Sequence, residues 1–260
     1  MYAPAGTTVL IVGDITAADA RRAVERALGG WSVAAPRRSA AKFATTRPAQ
    51  PRVILVDRPG SVQSAIRVGG GAVSGADPDY IPLEAVRSVL GGGFNSRVNM
   101  NLREKHGYTY GAFTSLDARR GAGTFYISSS VRTNATDSAL VEAVNEYKRI
   151  AAEAIPSEEL TGALAPVIGG FPSSVQTVQG LRGRLQTLIE RQLPLDYYAT
   201  YRERLAAVTP ADAQRAARKH LTPEAMTIVV VGDLSKIEQP IRARHLGTVE
   251  VWDAEGNRVR

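Results

Sequence analysis

Cysteine is absent from this chain of 260 residues, and histidine occurs only three times. The lack of cysteine excludes disulfide bonds, cysteine-ligated zinc and cysteine nucleophiles, and it is compatible with the cytosol or with a bacterial periplasm. No apolar run approaches the roughly 18 residues of a membrane-spanning helix. The first residues also lack the basic and apolar regions of a signal peptide. We therefore expect a soluble protein without a membrane partner.

Several catalytic signatures are missing as well. The histidines, His106, His220 and His245, are far apart, so no HxxEH, HxxxH or inverted pattern places two imidazoles one helical turn apart. The glycine-rich stretch LGGGFNSR at 90–97 does not continue as a phosphate-binding loop, and no GxSxG motif occurs. By itself the chain shows no complete catalytic machinery, no metal ligands and no cofactor site.

Basic residues dominate the segment between Gly30 and Gly60, in a chain with a net charge of +7. They are Arg37, Arg38, Lys42, Arg47, Arg52 and Arg58, against the single acid Asp57. A nucleic-acid-binding protein could use such a stripe, but aromatic residues that stack on bases are sparse here. Four prolines also interrupt regular structure, so a solvated linker is the better interpretation, and we expect no nucleic-acid partner.

An internal repeat indicates how the chain is organised. Residues 7–12, TTVLIV, predict a buried strand that ends at Gly13-Asp14 and leads into a helix capped by Thr16. The same strand–Gly–Asp–helix plan recurs at 226–247, with Gly232-Asp233 at the matching place. A unit that recurs after one domain length indicates a duplicated fold. We therefore predict that residues 1–30 are the terminal βα unit of a preceding homologous domain, that 31–51 are a linker, and that 52–260 form one complete domain.

Within residues 52–260 the predicted strands cluster instead of alternating with helices. Strands are predicted at 52–57 and 62–70, around the turn Arg58-Pro59-Gly60, and at 108–117 and 123–131. Helices are predicted at about 80–90, 95–105, 136–153, 157–168, 175–191 and 196–207, and after Thr209 with Pro210 in the first turn. This order predicts the α+β class, with an antiparallel sheet and helices packed on one face.

The stretch LREKHGYTYG concentrates hydrogen-bond donors next to a glycine. Arg103 falls in the last turn of the predicted helix, and Gly107 can adopt a positive φ just past its end. Tyr110 lies on the following strand, on the same predicted face as Tyr108. Arg103 and Tyr110 together suit a peptide carbonyl or its oxyanion, but not a general base. The residues alone favour a plain role, in which Arg103 neutralises a helix terminus and Tyr110 packs.

The stretch LGGGFNSRVNMNLREKHGYTYGAFTS, at 90–115, resembles the signature of the second half of M16 zinc metallopeptidases, the pitrilysin, insulinase and mitochondrial processing peptidase group. Further segments occur in the order typical of the family: DRPGSVQS, DPDY, GGFPSSVQT and LPLDYY. The resemblance extends over essentially the whole chain. It implies the α+β fold of the M16 and LuxS-like domains, in two homologous halves that enclose the substrate.

The resemblance also implies a function. In this family the first half carries zinc on HxxEH, and the second half supplies an arginine and a tyrosine seven positions apart, which Arg103 and Tyr110 match. The chain is then the non-zinc half of a peptidase, inactive alone. It binds peptide and pairs with a zinc-bearing half, in cis or as a separate subunit, and a dimer is compatible with this. The alternative is a non-catalytic scaffold. The similarity to bacterial proteins, many of them exported, favours the periplasm.

Overall fold

Six strands form one mixed sheet in the computed structural model, which describes residues 3–33 and 47–260. They are β1 (Arg52–Asp57), β2 (Gln63–Gly71), β3 (Thr109–Asp117), β4 (Thr124–Arg132), β5 (Thr227–Gly232) and β6 (Thr248–Trp252). Their order across the sheet is β3-β4-β2-β5-β1-β6. The pairs β3–β4, β4–β2 and β2–β5 are antiparallel, and β5–β1 and β1–β6 are parallel.

The helices of the described residues are α1 (Ala17–Leu28), α2 (Tyr80–Gly91), α3 (Arg97–Asn99), α4 (Thr136–Ala152), α5 (Ser157–Gly170), α6 (Val178–Arg191), α7 (Tyr201–Ala206), α8 (Pro210–His220) and α9 (Leu234–Ala243). A π-helix (Met100–Lys105) continues α3 directly, and short 3₁₀ turns lie at Thr133–Ala135, Pro172–Val175 and Pro223–Ala225. None of these helices combines the length and apolarity needed to cross a bilayer.

The helices cover one face of the sheet. On β2 the residues alternate, so that Ser64, Ile66 and Val68 are buried while Ala65 and Arg67 are exposed. The same alternation buries Phe125 and Ile127 of β4 and Ile228 and Val230 of β5. On that buried face α4 contacts β2 and β4, α2 contacts β3, and α9 contacts β1. The predicted α+β class with helices on one face is confirmed.

Strand pairing differs from the prediction in one respect: the sheet is mixed. Strand β5 lies between β1 and β2, so the two strands that flank Arg58-Pro59-Gly60 do not pair with each other. The connecting loop passes the end of β5, where Arg58 N donates to Gly232 O (2.8 Å) and Gly60 N to Asp233 Oδ2 (3.2 Å). Strand β6 was not predicted. Such pairings join distant parts of the chain, and local patterns do not reveal them.

The predicted strand at 7–12 is wrong for this structure, whereas the helix after it is confirmed. The Thr16 side chain accepts from Asp19 N (3.1 Å) at the start of α1. Residues 7–12 form no strand, since none of the described strands lies beside them to take their backbone hydrogen bonds. Val9 and Ile11 are 48% and 43% exposed, and α1 buries none of its residues. The predicted linker at 31–51 falls largely on 34–46, outside the described residues.

Two helix boundaries also differ. The helix predicted at 196–207 is helical only in α7, and the one predicted at 175–191 begins at Val178, with Thr177 as its cap. An aromatic cluster holds the segments that precede α6 and α7. In it the centre of the Phe171 ring lies 5.8 Å from that of Tyr198 and 5.3 Å from that of Tyr201. Packing of these rings outweighs local helix preference. At α8 the predicted start is confirmed, because Thr209 and Asp212 form a reciprocal capping box ahead of Pro210.

A buried carboxylate ties α2 to α8. Asp79, at the start of α2, is 4% exposed. It accepts from Arg215 Nη1 (2.6 Å), Lys219 Nζ (2.8 Å) and His220 Nε2 (2.8 Å). Burial alone would raise the pKa of Asp79, but the hydrogen bonds from Lys219, His220 and Arg215 outweigh it and hold that pKa well below its usual range. The ionised carboxylate therefore stabilises the folded state.

We expect Asp79→Asn to lower the free energy of unfolding by about 2 kcal/mol at pH 7. This is less than for a fully buried pair, because Arg215 and Lys219 remain largely exposed. A carboxyl with a depressed pKa stabilises the fold above its unfolded pKa of about 4, and this contribution is lost as the pH falls towards the folded pKa. The difference between the two proteins should thus shrink between pH 5 and pH 3 in urea titrations.

The matched control is Asp196→Asn, at an exposed position on the loop before α7. It should leave stability within about 0.5 kcal/mol at every pH. A loss for Asp79→Asn that stays constant with pH would show that the carboxylate charge is not the stabilising element.

Candidate functional site

Tyr110 projects from a β-bulge at the start of β3. Thr109 pairs with Val131 and Ala112 with Ser129, so Tyr110 and Gly111 together lie opposite the single residue Ser130. The Tyr110 side chain is 90% exposed. Tyr108, in contrast, packs against the core and stacks on His106 with 4.9 Å between ring centroids. The prediction that both tyrosines share one face is wrong, because the bulge interrupts the alternation.

Hydrogen bonds from neighbouring hydroxyls fix the bulge. Thr109 Oγ1 accepts from Gly111 N (3.0 Å) and from Ser129 Oγ (2.9 Å). Thr109 Oγ1 in turn lies 2.7 Å from Ser130 O, to which it donates. The backbone beneath Tyr110 is therefore held from both strands, and the phenol projects from a defined position.

Arg103 lies on the π-helix that precedes this bulge. His106 N donates to Asn101 O (3.2 Å), five residues back, and Gly107 ends the turn with a φ of 61°. The predicted helix and the predicted positive φ of Gly107 are confirmed. The Arg103 guanidinium lies 4.6 Å from the centre of the Phe94 ring, and its Nε lies 3.3 Å from Glu104 Oε1. Within the described residues no hydrogen bond joins Arg103 to Tyr110, although both flank the same turn.

Two asparagines hold the π-helix in place. Asn99 is 1% exposed; its Oδ1 accepts from Ala112 N (3.2 Å) and its Nδ2 donates to Phe94 O (2.7 Å). Asn101 Nδ2 donates to Glu142 Oε2 (3.0 Å) and to Glu146 Oε1 (2.8 Å), both on α4. These contacts fasten the segment of Arg103 to β3 and to α4. Sequence reasoning missed both asparagines, although asparagine is unusual inside a helix and signals a side-chain contact.

Buried polar atoms concentrate around this segment. Glu146 is 3% exposed and also accepts from Arg149 Nη1 (3.1 Å). Four buried atoms here have no hydrogen-bond partner among the described residues: Arg97 Nη1, Asn101 Oδ1, His106 Nε2 and Glu146 Oε2. Buried groups of this kind cost free energy, and π-helices recur at functional sites. The segment that carries Arg103 therefore contains several polar groups whose burial is unfavourable.

A depression of about 720 Å³ adjoins Tyr110 on the face of the sheet opposite the helices, which we call the open face. Its lining consists of apolar and hydroxyl side chains, with one carboxamide, one guanidinium and no carboxylate; it includes Ala65, Phe113, Val229, Val231, Thr109, Ser128, Ser130, Gln63 and Arg67. Arg103 does not line it. Tyr110 therefore stands at one side of the depression, and Arg103 belongs to the helix behind the adjoining turn.

The one candidate group of metal ligands among the described residues does not suit zinc. In the described ranges one group of carboxylate and imidazole atoms lies close enough to share an ion, namely Asp77, Asp79 and His220. It offers a single imidazole, and both oxygens of Asp79 already accept from Arg215 and Lys219. Two adjacent cations oppose the binding of a third. His106 and His245 are not part of this group.

Comparison with known proteins agrees with this architecture. The family model for the peptidase M16 inactive domain matches residues 1–166. An uncharacterized zinc protease of Streptomyces coelicolor is 23% identical over 170 residues, which is 64% of this chain and 36% of that protein. The chain therefore spans little more than a third of that relative.

Solved structures share the fold. A peptidase M16 inactive domain from Pseudomonas fluorescens aligns with a TM-score of 0.71 at 23% identity, over 85% of this chain and 52% of that one. A protease from Helicobacter pylori gives 0.75 at 16% identity, over 85% and 54%. The periplasmic protease PqqL of Escherichia coli gives 0.63 at 17%, over 85% and 24%. Because the family model accounts for more than half of its length, this chain belongs to the peptidase M16 family, in which it corresponds to the inactive domain.

Proposed function

We propose that this chain is the non-zinc half of an M16 peptidase, and that it binds peptide on the open face and supplies Arg103 and Tyr110 to the reaction. The observation that carries this proposal is the position of Tyr110, which projects almost fully exposed from a hydrogen-bonded bulge beside the depression. A phenol that only packed would be buried. The exposed position favours contact with a bound molecule over the packing role.

The partner half would hold zinc, which polarises the scissile carbonyl and activates water. The residues of this chain act as donors. The Tyr110 hydroxyl and the Arg103 guanidinium donate hydrogen bonds to a peptide carbonyl oxygen, and these bonds strengthen as negative charge develops on that oxygen. The asparagine contacts keep Arg103 in position before peptide arrives, so less ordering is needed during the reaction. Neither donor removes a proton.

The N-terminal segment supports pairing with a homologous half. Aligning Gly13-Asp14 with Gly232-Asp233 makes Val9 and Ile11 the counterparts of Ile228 and Val230 of the central strand β5, both 0% exposed. Ile15 is the counterpart of Leu234 in the same alignment. Leu234 is 8% exposed, whereas Ile15 is 45% exposed. We infer that residues 7–29 complete the sheet of a preceding or partner domain, as β5 and α9 complete this one.

A location in the bacterial periplasm is also proposed. It is supported by one structural relative, the periplasmic protease PqqL of Escherichia coli.

In the protein that contains both halves, Arg103→Ala should lower kcat/KM for peptide hydrolysis by about 10²-fold, the usual effect of losing one donor in the transition state. Tyr110→Phe removes only the hydroxyl and should act in the same direction. Turnover of a fluorogenic peptide measures both, and a thermal melt shows whether the fold is intact.

The control for these variants is Arg119→Ala, on the turn between β3 and β4, where the side chain is 74% exposed and pairs with Asp117. It should leave turnover unchanged. If Arg103→Ala also left turnover unchanged, the donor role would be wrong and the scaffold alternative would stand.

The N-terminal proposal predicts a contrast between equivalent positions. Val230→Asp buries a charge and should cost more than about 4 kcal/mol of stability in the chain by itself. Ile11→Asp should change the stability of the isolated chain by less than about 0.5 kcal/mol, yet prevent assembly with the zinc-bearing half, as measured by size-exclusion chromatography. Normal assembly of the Ile11→Asp protein would refute the docking of this segment.

A further inference from the structure

The register of the strands places the side chains of the open face in rows across the sheet. One row runs Phe113, Ser128, Arg67, Val229, Ile54 and Glu250, from β3 to β6. The next row contains Ser130, Ala65, Val231, Val56 and Trp252. Arg67 thus lies near the middle of the first row, on the floor of the depression beside Tyr110.

Arg67 carries a charge that no acid of the described residues neutralises. Its guanidinium carbon lies 5.1 Å from the centre of the Tyr126 ring, which steadies the side chain. Among residues 3–33 and 47–260, no carboxylate lies within salt-bridge distance of it. Arginines of the helical layer are paired, as in Arg244 with Asp137 and Arg97 with Glu159. What distinguishes Arg67 from the other strand arginines is its place in the lining of the depression.

Acids at the borders of the open face are engaged elsewhere. Glu250 is three strands away from Arg67, roughly 14 Å at the usual strand spacing. It accepts from Trp252 Nε1 (2.9 Å) and lies 3.9 Å from Arg258 Nε. Asp117, at the end of β3, pairs with Arg119. The other charged residues in the rows of this face, Arg52 and Arg132, are also basic, so positive charge predominates around the depression.

We propose that the depression selects acidic peptide segments, with a glutamate or aspartate side chain or a terminal carboxylate paired to Arg67. Valines 229 and 231, Ala65 and Phe113 would receive apolar neighbours of the acid, while Ser128 and Ser130 bind peptide backbone. The inference rests on the proposed function, because it names the class of peptide that the open face takes. A bidentate guanidinium–carboxylate pair provides both orientation and discrimination against lysine.

The test uses the full chain and three fluorescein-labelled heptapeptides of alternating serine and valine, with glutamate, glutamine or lysine at the centre. Binding is followed by fluorescence anisotropy. The glutamate peptide should bind roughly threefold more tightly than the glutamine peptide, a typical effect for one partly exposed ion pair, and the lysine peptide most weakly. Raising NaCl from about 0.05 M to about 0.5 M should reduce the preference.

Three variants of Arg67 test whether this side chain causes the preference for the glutamate peptide. Arg67→Gln should abolish it, Arg67→Lys should retain part of it, and Arg67→Glu should reverse it in favour of the lysine peptide. The matched control is Arg202→Gln on α7, in the helical layer, which removes one exposed positive charge away from the open face and should leave the preference unchanged.

The outcomes separate this inference from the proposed function. Equal binding of all three peptides would overturn the selectivity and leave peptide binding intact. A preference that survived in Arg67→Gln would overturn the role of Arg67. Binding of none of the peptides at millimolar concentration would overturn peptide binding on the open face, and the selectivity with it.

Discussion

One constraint organises the molecule: in the part of the chain that the structure describes, the helices that pack on the sheet all lie on the same face. On that face β2, β4 and β5 bury Ile66, Ile127, Val230 and their neighbours, and this burial provides most of the driving force for folding. The opposite face keeps Ala65, Arg67 and Phe113 exposed and leaves Val229 and Val231 half-buried. A face with this mixture of apolar, hydroxyl and guanidinium groups is suited to binding an extended chain.

The two proposed donors, Tyr110 and Arg103, are supported differently. Tyr110 depends on a bulge fixed by hydroxyl and backbone hydrogen bonds, so its support lies within the sheet itself. Arg103 depends on a π-helix that two asparagines attach to β3 and α4. Several atoms around that helix lack partners among the described residues. The two residues therefore respond to different perturbations, one to the β3–β4 pairing and the other to the position of α4.

Local patterns predicted much of the fold. The limits of β1 and α4, the start of α8, the cap at Thr16 and the positive φ of Gly107 follow from alternation, capping residues and glycine, all of which act over a few positions. The insertion of β5 between β1 and β2 could not be predicted this way, because it joins segments about 170 residues apart. The bulge at Tyr110 and the buried Asn99 were missed for the same reason, since each is defined by contacts outside its own strand or helix. The pairing of Arg103 with Tyr110 came from the family resemblance and stays a prediction.

The place of β5 in the sheet has a consequence for how the protein is made. β1 and β2 leave the ribosome early and stand on either side of a gap that only residues 227–232 fill. Until nearly the whole domain has been synthesised, both strands keep an unpaired edge that can join with other chains. Closing the gap requires contacts of very long sequence separation, which form slowly. We therefore expect nascent or truncated forms that lack β5 to be the species most dependent on chaperones, however stable the finished sheet is.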